Sequence, residues 1–104
     1  MNAEKYQAVI TETVQKSLNT LTGKANEYAR KDDMFHNFKV AAVMQGITKE
    51  EALRGMMAKH IVSINDMIPN AQHYTLEAWQ EKIGDAINYM LILSAMVKEI
   101  HDGK

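Results

Sequence analysis

The stretch EKIGDAINYMLILSAMV, residues 81–97, indicates the fold class of this chain. Its apolar residues fall on every side of a helix instead of alternating as in a strand. From residue 86 onward its only polar positions are Asn88, Tyr89 and Ser94. With one Pro and five Gly among 104 residues, the chain has little turn chemistry for a β-protein. An all-α fold is therefore predicted, with this helix at the centre or against a second subunit.

Helical spacing and capping residues predict four helices. Pro69 ends the third helix and Thr75 caps the fourth. Thr48 and Glu51 have the spacing of a capping box at the start of the third helix. A short connection predicts that the last two helices pack antiparallel, within one domain that covers residues 1–104. The expected four-helix bundle consists of Ala3–Leu21, Met34–Gln45, Lys49–Ile68 and Leu76–His101, with residues 24–33 as a turn and residues 71–74 as a loop.

The apolar residues of these helices predict both a core and a subunit interface. Neighbouring helices cover only one side of the last helix, so Ile92 and Met96 on its other side would be exposed in a monomer. Burial of a few such residues from each subunit would hold a homodimer together. The residues that share one side of their helix are Tyr6, Val9, Thr13, Val14, Leu18 and Leu21 on the first, Phe35, Phe38, Ala42 and Met44 on the second, and Leu53, Met57, Ile61, Ile64 and Ile68 on the third.

Composition argues against several classes of protein. The chain has no cysteine, which excludes disulfides and thiolate metal sites and fits a reducing compartment such as the cytoplasm. Its formal charge of −1 gives no reason to expect a nucleic acid partner. The first ten residues, MNAEKYQAVI, do not have the pattern of a signal peptide, and no apolar stretch approaches the roughly 20 residues that span a bilayer. No membrane partner is therefore expected.

Polar side chains on the last two helices predict a groove. Asp85 and Asn88 lie on one side of the last helix, and Lys59, Ser63 and Asp66 form a polar row on the third. If the two helices pack antiparallel, these groups would gather where a magnesium ion and a phosphate could bind. The alternative is an interhelical salt bridge between Lys59 and Asp85, with no ligand.

Two segments carry a resemblance that covers roughly residues 23–97. They are MMAKHIVSI, residues 56–64, and GDAINY, residues 84–89. The chain resembles small phage-encoded helical proteins, which are themselves similar to the MazG-like all-α nucleotide pyrophosphohydrolases and to phage domains associated with nucleotide modification. In MazG-like enzymes, a Glu-Glu-x-x-Glu motif and a Glu-x-x-Asp motif hold magnesium, and the metal polarises a triphosphate for attack by water.

The chain departs from both of these motifs. EEALR, residues 50–54, has Arg54 where the third glutamate belongs, and EKIGD, residues 81–85, has Lys82 at a glutamate position. Because two of about five acidic ligands are replaced, weak magnesium binding is predicted. The resemblance leaves open whether the protein is a magnesium-dependent hydrolase of nucleoside triphosphates.

The resemblance implies a phage or prophage accessory protein that binds or processes a nucleotide in the host cytoplasm, with magnesium as the candidate cofactor. The alternative is a non-catalytic helical module that acts by protein contact. Tyr28 either stacks on a base or packs within the protein, and Asn37 either contacts a base or only begins a helix. The candidate residues are Glu81, Asp85 and Asp66 for magnesium, with Lys59 for the phosphate and Asn88, Asn37 and Tyr28 for the rest of the ligand.

Overall fold

The computed structural model describes the backbone of residues 1–28 and 32–103, and the side chains of residues 1–23 and 32–103. These residues form four α-helices, which confirms the predicted all-α class. In chain order the helices are α1 (Ala3–Tyr28), α2 (His36–Gln45), α3 (Lys49–Met67) and α4 (Leu76–His101), with a 3₁₀ helix (Ile68–His73) between α3 and α4.

The first helix is longer than predicted. It passes through Gly23 and continues to Tyr28, whereas the sequence predicts an end at Leu21 and a turn over the following residues. A glycine ends a helix when it adopts positive φ, and Gly23 does not adopt it. The Thr22 hydroxyl donates to the carbonyl of Leu18 at 3.1 Å, as a threonine does within a continuing helix. The side chain of Tyr28 lies outside the described residues, so its predicted ligand contact stays a prediction.

The junction between α2 and α3 follows the sequence closely. Gly46 ends α2 in the left-handed conformation at φ 67°, and the next amide, of Ile47, donates to the Ala42 carbonyl at 3.0 Å. The predicted capping box of α3 is confirmed. The Glu51 amide donates to the Thr48 hydroxyl oxygen at 3.1 Å, and the Thr48 amide donates back to the Glu51 carboxylate at 3.1 Å.

The connection between α3 and α4 is helical instead of the predicted loop. The α-helix ends at Met67, directly before a 3₁₀ helix that has Pro69 in its first turn. Trp79, on the first turns of α4, fixes this connection, because its indole N–H donates to the Ala71 carbonyl at 2.9 Å. Thr75 caps α4 as predicted, since its hydroxyl oxygen accepts from the Ala78 amide at 3.0 Å.

The four helices form an open row instead of a closed square. Among the described residues, α3 packs between α2 and α4, and α1 contacts only α4. The predicted antiparallel packing of α3 and α4 is confirmed, because Lys49 pairs with Glu99 at 3.9 Å while His60 lies 3.6 Å from Asp85. Within the part of the chain that the structure describes, α4 thus contacts α3 on one side and α1 on another.

The open row makes the molecule large for its length. It extends over 44 × 27 × 26 Å with a radius of gyration of 15.8 Å, whereas a compact domain of this length has about 13 Å. Its accessible surface is 7744 Å², whereas a compact monomer of this mass has about 5,900 Å². The single chain therefore exposes about 1,800 Å² more surface than its mass requires.

The core is small and lies between α3 and its two neighbours. Leu53 and Met96 are its largest fully buried side chains, and Ala42, Ala52 and Met67 complete it. The expectation that Met96 and Ile92 are exposed is wrong, because Met96 is 0% exposed and Ile92 is half-buried. The predicted core positions Met44, Ile61 and Ile68 are exposed instead.

The N-terminus of α3 carries a charged pair at its contact with α4. Glu50 is half-buried, and its carboxylate lies 3.0 Å from the Lys49 ammonium. The same ammonium lies between α3 and the C-terminal part of α4, because Glu99 is its other partner. Glu50 therefore belongs to a packed charged cluster at the end of the helix row.

Candidate functional site

A polar groove of about 330 Å³ lies between α1 and α4. The groove and its lining residues are called the acidic groove below. From α1 it is lined by Glu12, Thr13, Lys16, Ser17 and Thr20, and from α4 by Glu77, Gln80, Glu81, Gly84, Asp85 and Asn88.

The two helices approach closely where Ser17 meets Gly84. Ser17 is 4% exposed, and a Cβ added at Gly84 would lie 3.5 Å from the Ser17 hydroxyl oxygen. Small residues at a helix contact allow the two backbones to come near each other, so the groove forms beside this contact. On α1, Lys16 projects to the groove and its ammonium donates to the Gln80 side-chain carbonyl at 3.3 Å.

Asn88 forms the floor of the acidic groove. It lines the groove but is only 8% exposed, and its side-chain carbonyl oxygen has no hydrogen-bond partner. A buried polar atom without a partner costs on the order of 1–3 kcal/mol. This oxygen is itself shielded from solvent, so the cost of leaving it unpaired is borne by the packing of α4.

The charges of the groove are unbalanced. Four carboxylates line it, on Glu12, Glu77, Glu81 and Asp85, against the single ammonium of Lys16. These groups give the groove a local charge of −3, although the whole chain has a formal charge of only −1. The negative potential of the molecule is thus concentrated at this site.

Asp85 stands at the wall between the groove and α3. One of its carboxylate oxygens lies 3.6 Å from Nδ1 of His60, so Lys59 is not its partner and the predicted Lys59–Asp85 salt bridge is wrong. His60 also packs its ring against Tyr89, with 5.3 Å between the ring centroids. Burial, together with the negative charge of Asp85, raises the pKa of the Tyr89 hydroxyl above its usual value.

The structure brings together only part of the predicted site. Glu81, Asp85 and Asn88 line one groove, but α1 forms its opposite wall where α3 was expected. The reason is the order of the helices, because α4 packs between α3 and α1. On α4, Asp85 faces His60 of α3, and the other polar residues near Asp85 face α1. Lys59 and Asp66 on α3 and Asn37 on α2 are exposed and do not line this groove.

Two of the three predicted magnesium ligands, Glu81 and Asp85, line the groove, and the magnesium site stays a prediction. Asp66 is separated from Glu81 and Asp85 because it is exposed on α3 outside the groove. Among the described residues, no three histidine, cysteine, aspartate or glutamate side chains are grouped closely enough to hold a metal ion.

Sequence reasoning missed the α1 wall of the groove. Thr13, Ser17 and Thr20 follow one another at spacings of four and three residues, which places three hydroxyl groups in a stripe within an otherwise apolar helix side. That stripe is a signal for a close helix contact or a polar cleft, and Glu12 and Lys16 flank it.

The opposite side of the α1–α4 contact is apolar. At 100° per residue, Ile10, Val14 and Leu18 lie on the side of α1 that is next to Ser17 and away from Lys16. In the same way, Ile83, Met90 and Leu91 lie on the side of α4 that is next to Gly84 and away from Asp85. These six residues, between 36% and 55% exposed, are called the apolar face below.

No protein-family model matches the chain, and no curated protein or solved structure is detectably similar to it. The resemblance to MazG-like and phage proteins therefore stays a prediction from the sequence. Among the described helices, none is long and apolar enough to cross a membrane.

Proposed function

We propose that this protein is a non-catalytic helical module that works as a homodimer, with the apolar face as its interface. The observation that supports this proposal most strongly is that the six large apolar side chains of the apolar face are between 36% and 55% exposed. Large exposed apolar patches mark sites of protein–protein interaction.

The surface of the single chain is large enough for this role. A stable interface needs roughly 800 Å² from each partner, and the chain exposes about 1,800 Å² beyond the surface of a compact monomer. A two-fold arrangement would place the apolar face of one copy on the same face of the other, which satisfies both at once. Burying the exposed half of each side chain would contribute roughly 1 kcal/mol per residue before the cost of association.

The test is sedimentation velocity of the wild type and of two charge variants of α1. Val14→Glu places a carboxylate in the apolar face, and Gln7→Glu adds the same charge at an exposed polar position of the same helix. We expect a dimer for the wild type and for Gln7→Glu at tens of micromolar, and a folded monomer for Val14→Glu. A wild type that stays monomeric up to about 100 µM would refute self-association.

A charge on α4 at Ile92 would not test the dimer, because Ile92 is half-buried and its neighbour one turn on, Met96, is fully buried in the single chain. A charge at Ile92 would unfold the helix row whether or not a dimer forms. Val14 is half-exposed, so its substitution leaves the core in place.

A second candidate function is nucleotide binding by a MazG-like accessory protein of a phage, acting in the host cytoplasm. One observation favours it: three of the predicted residues, Glu81, Asp85 and Asn88, line the acidic groove together with Lys16, an ammonium of the kind that contacts phosphate. Titration with ATP, with and without magnesium, is expected to shift the amide resonances of Lys16 and Asn88 if this candidate is correct. Unchanged spectra at millimolar nucleotide would reject it.

A further inference from the structure

We propose that the two copies of this chain meet through α4, which pairs with the α4 of the partner as an antiparallel two-helix coiled coil centred at Asn88. This inference rests on the proposed self-association and adds to it the helix that pairs, its direction and its register. It follows from a heptad pattern on α4, from the exposure of that pattern and from the distribution of charge along the helix.

An unbroken heptad pattern runs along α4. From the first residue of the helix to the last but one, the positions spaced alternately by three and four residues are all apolar. This spacing places them in one seam, as in the helices of coiled coils. The eight residues, called the heptad seam below, are Leu76, Trp79, Ile83, Ala86, Met90, Leu93, Val97 and Ile100.

The heptad seam lies on the outer side of α4. At 100° per residue, it is opposite Asn88, which is buried, and it excludes both Gly84, which approaches α1, and Tyr89, which packs on α3. Five of the eight seam side chains are exposed, from 37% at Ile83 to 71% at Leu76, and the other three are half-buried. A surface helix of a monomer has the reverse arrangement, with its apolar side turned inward.

A second copy of α4 fits the heptad seam best when it runs antiparallel. Centred at Asn88, such a pair places Trp79 opposite Val97 and Ala86 opposite Met90, so each large side chain meets a smaller one. A parallel pair would place Trp79 opposite Trp79 and Ala86 opposite Ala86, which crowds one layer and underfills another.

The charge along α4 favours the same direction. Residues 76–88 carry three carboxylates and one ammonium, a net charge of −2, whereas residues 89–101 carry one of each and are neutral when histidine is neutral. An antiparallel pair sets each acidic half against the neutral half of the partner, and a parallel pair would set the two acidic halves side by side. The antiparallel pair also brings the opposite ends of the two helix dipoles together.

The helix is long enough to supply most of an interface. Its 26 residues extend over about 39 Å, and a stable interface needs roughly 800 Å² from each partner. Ile83 and Met90 belong to both the heptad seam and the apolar face, so the apolar side chains of α1 border the paired helices and add to the buried area.

The test is cross-linking of cysteine variants, because the chain has no cysteine of its own. Leu76→Cys and Ile100→Cys are treated with a short bismaleimide, separately and after mixing. In the antiparallel pair these two positions face each other, whereas each is about 36 Å along the axis from its own copy. The matched control is a mixture of Glu81→Cys and Ala95→Cys, two exposed positions that are level with each other in the same pair but lie off the heptad seam.

We expect a covalent dimer from the mixture of Leu76→Cys and Ile100→Cys, and none from either variant alone or from the control mixture. A nitroxide on Ile100→Cys gives a second measurement that does not depend on Leu76. The two labels of a dimer should lie about 36 Å apart along the axis, whereas a parallel pair would bring them to roughly 10 Å.

Cross-linking of either variant alone, or the shorter label separation, would overturn the antiparallel direction. Equal cross-linking in the control mixture would overturn the heptad seam as the contact. A dimer in sedimentation velocity whose Leu76→Cys and Ile100→Cys mixture gives no cross-link would overturn the pairing of α4 and leave self-association standing, whereas a monomeric wild type would refute both.

Discussion

Two methionines on α4 test the orientation of this helix. Met96 is fully buried and Met90 is 55% exposed, although both belong to the same helix and are six residues apart. The sequence analysis expects Met96 on the open side of the helix, whereas the structure buries Met96 and exposes Met90. Substitution of each by alanine removes the same atoms from the same kind of backbone, so in the monomer the difference in unfolding free energy between the variants reflects the difference in burial.

The expected magnitudes follow from the exposed fractions. Truncation of a buried methionine to alanine costs about 2–5 kcal/mol, because the transfer free energy and the cavity both contribute. Met90 has lost less than half of its surface to burial, so its truncation should cost about 1 kcal/mol or less. A domain of this size has on the order of 5–15 kcal/mol of stability, so Met96→Ala should remove a large part of it and lower Tm by roughly 10 °C or more.

The assay is urea unfolding of the wild type and both variants, followed by far-ultraviolet circular dichroism. It should be run at two protein concentrations, because Met90 belongs to the apolar face and its truncation would also weaken a dimer. At the lower concentration, we expect a large loss for Met96→Ala and a small one for Met90→Ala. Equal losses for the two variants, or a larger loss for Met90→Ala, would refute the described orientation of α4.

Three further predictions concern backbone conformation, capping and burial. Gly55→Ala should stabilise the protein by roughly 1 kcal/mol, because a Cβ at this position in α3 meets no atom within 4 Å. Gly46→Ala should instead cost about 1 kcal/mol, because φ is 67° at the end of α2. Denaturant unfolding should therefore show changes of opposite sign in the free energy of unfolding of the two variants. Thr48→Ala should cost about 1 kcal/mol in denaturant unfolding at neutral pH, since it removes a cap. The Thr48 backbone amide and hydroxyl, which donate to the Glu51 carboxylate, lower the pKa of that carboxyl. The stabilisation from these two bonds to the carboxylate is therefore present above the unfolded pKa of about 4.3 and is lost as the pH falls through the lower folded value. An acid titration in which Glu51→Gln unfolds at the same pH as the wild type would contradict this. Tyr89 should ionise at a higher pH than an ordinary tyrosine, because burial raises the pKa of its hydroxyl. Ultraviolet titration of Tyr89→Phe should therefore lack the tyrosine ionisation that the wild type shows at the highest pH. The stabilisation from neutral Tyr89 should be lost as the pH rises above about 10.

The local sequence contains the information for most helix ends. The capping box at Thr48, the cap at Thr75 and the left-handed Gly46 each depend on groups within a few residues, and each is confirmed by its hydrogen bonds or dihedral angle. Gly23 shows the limit of this reasoning, because the same residue type continues a helix when nothing requires positive φ.

The candidate site is predicted in part, for a similar reason. Three residues on one helix side must stay together, so Glu81, Asp85 and Asn88 are correctly placed in one polar site. Their partners across the groove lie some 70 residues earlier in the chain, on α1, and no local pattern pairs the two helices. The sequence analysis predicts that Asp85 and Asn88 of α4 face Lys59 and Asp66 of α3. In the structure, Asp85 lies 3.6 Å from His60, and the groove is lined on its other side by Lys16 of α1.

The sequence by itself determines that this protein is helical, where most of its helices start and end, and that α3 and α4 run antiparallel. Those properties depend on backbone hydrogen bonds, capping and short connections, which act between residues close in the chain. Only the tertiary structure decides the order of the helices in the row and the rotation of α4 about its axis. Because α4 has apolar residues on every side, it has no amphipathic pattern that determines which side is buried. Contacts with the neighbouring helices determine that side instead. Ser17 of α1 packs against Gly84, and His60 of α3 packs against Tyr89. That choice buries Met96, exposes Met90 and leaves Asn88 at the floor of a groove.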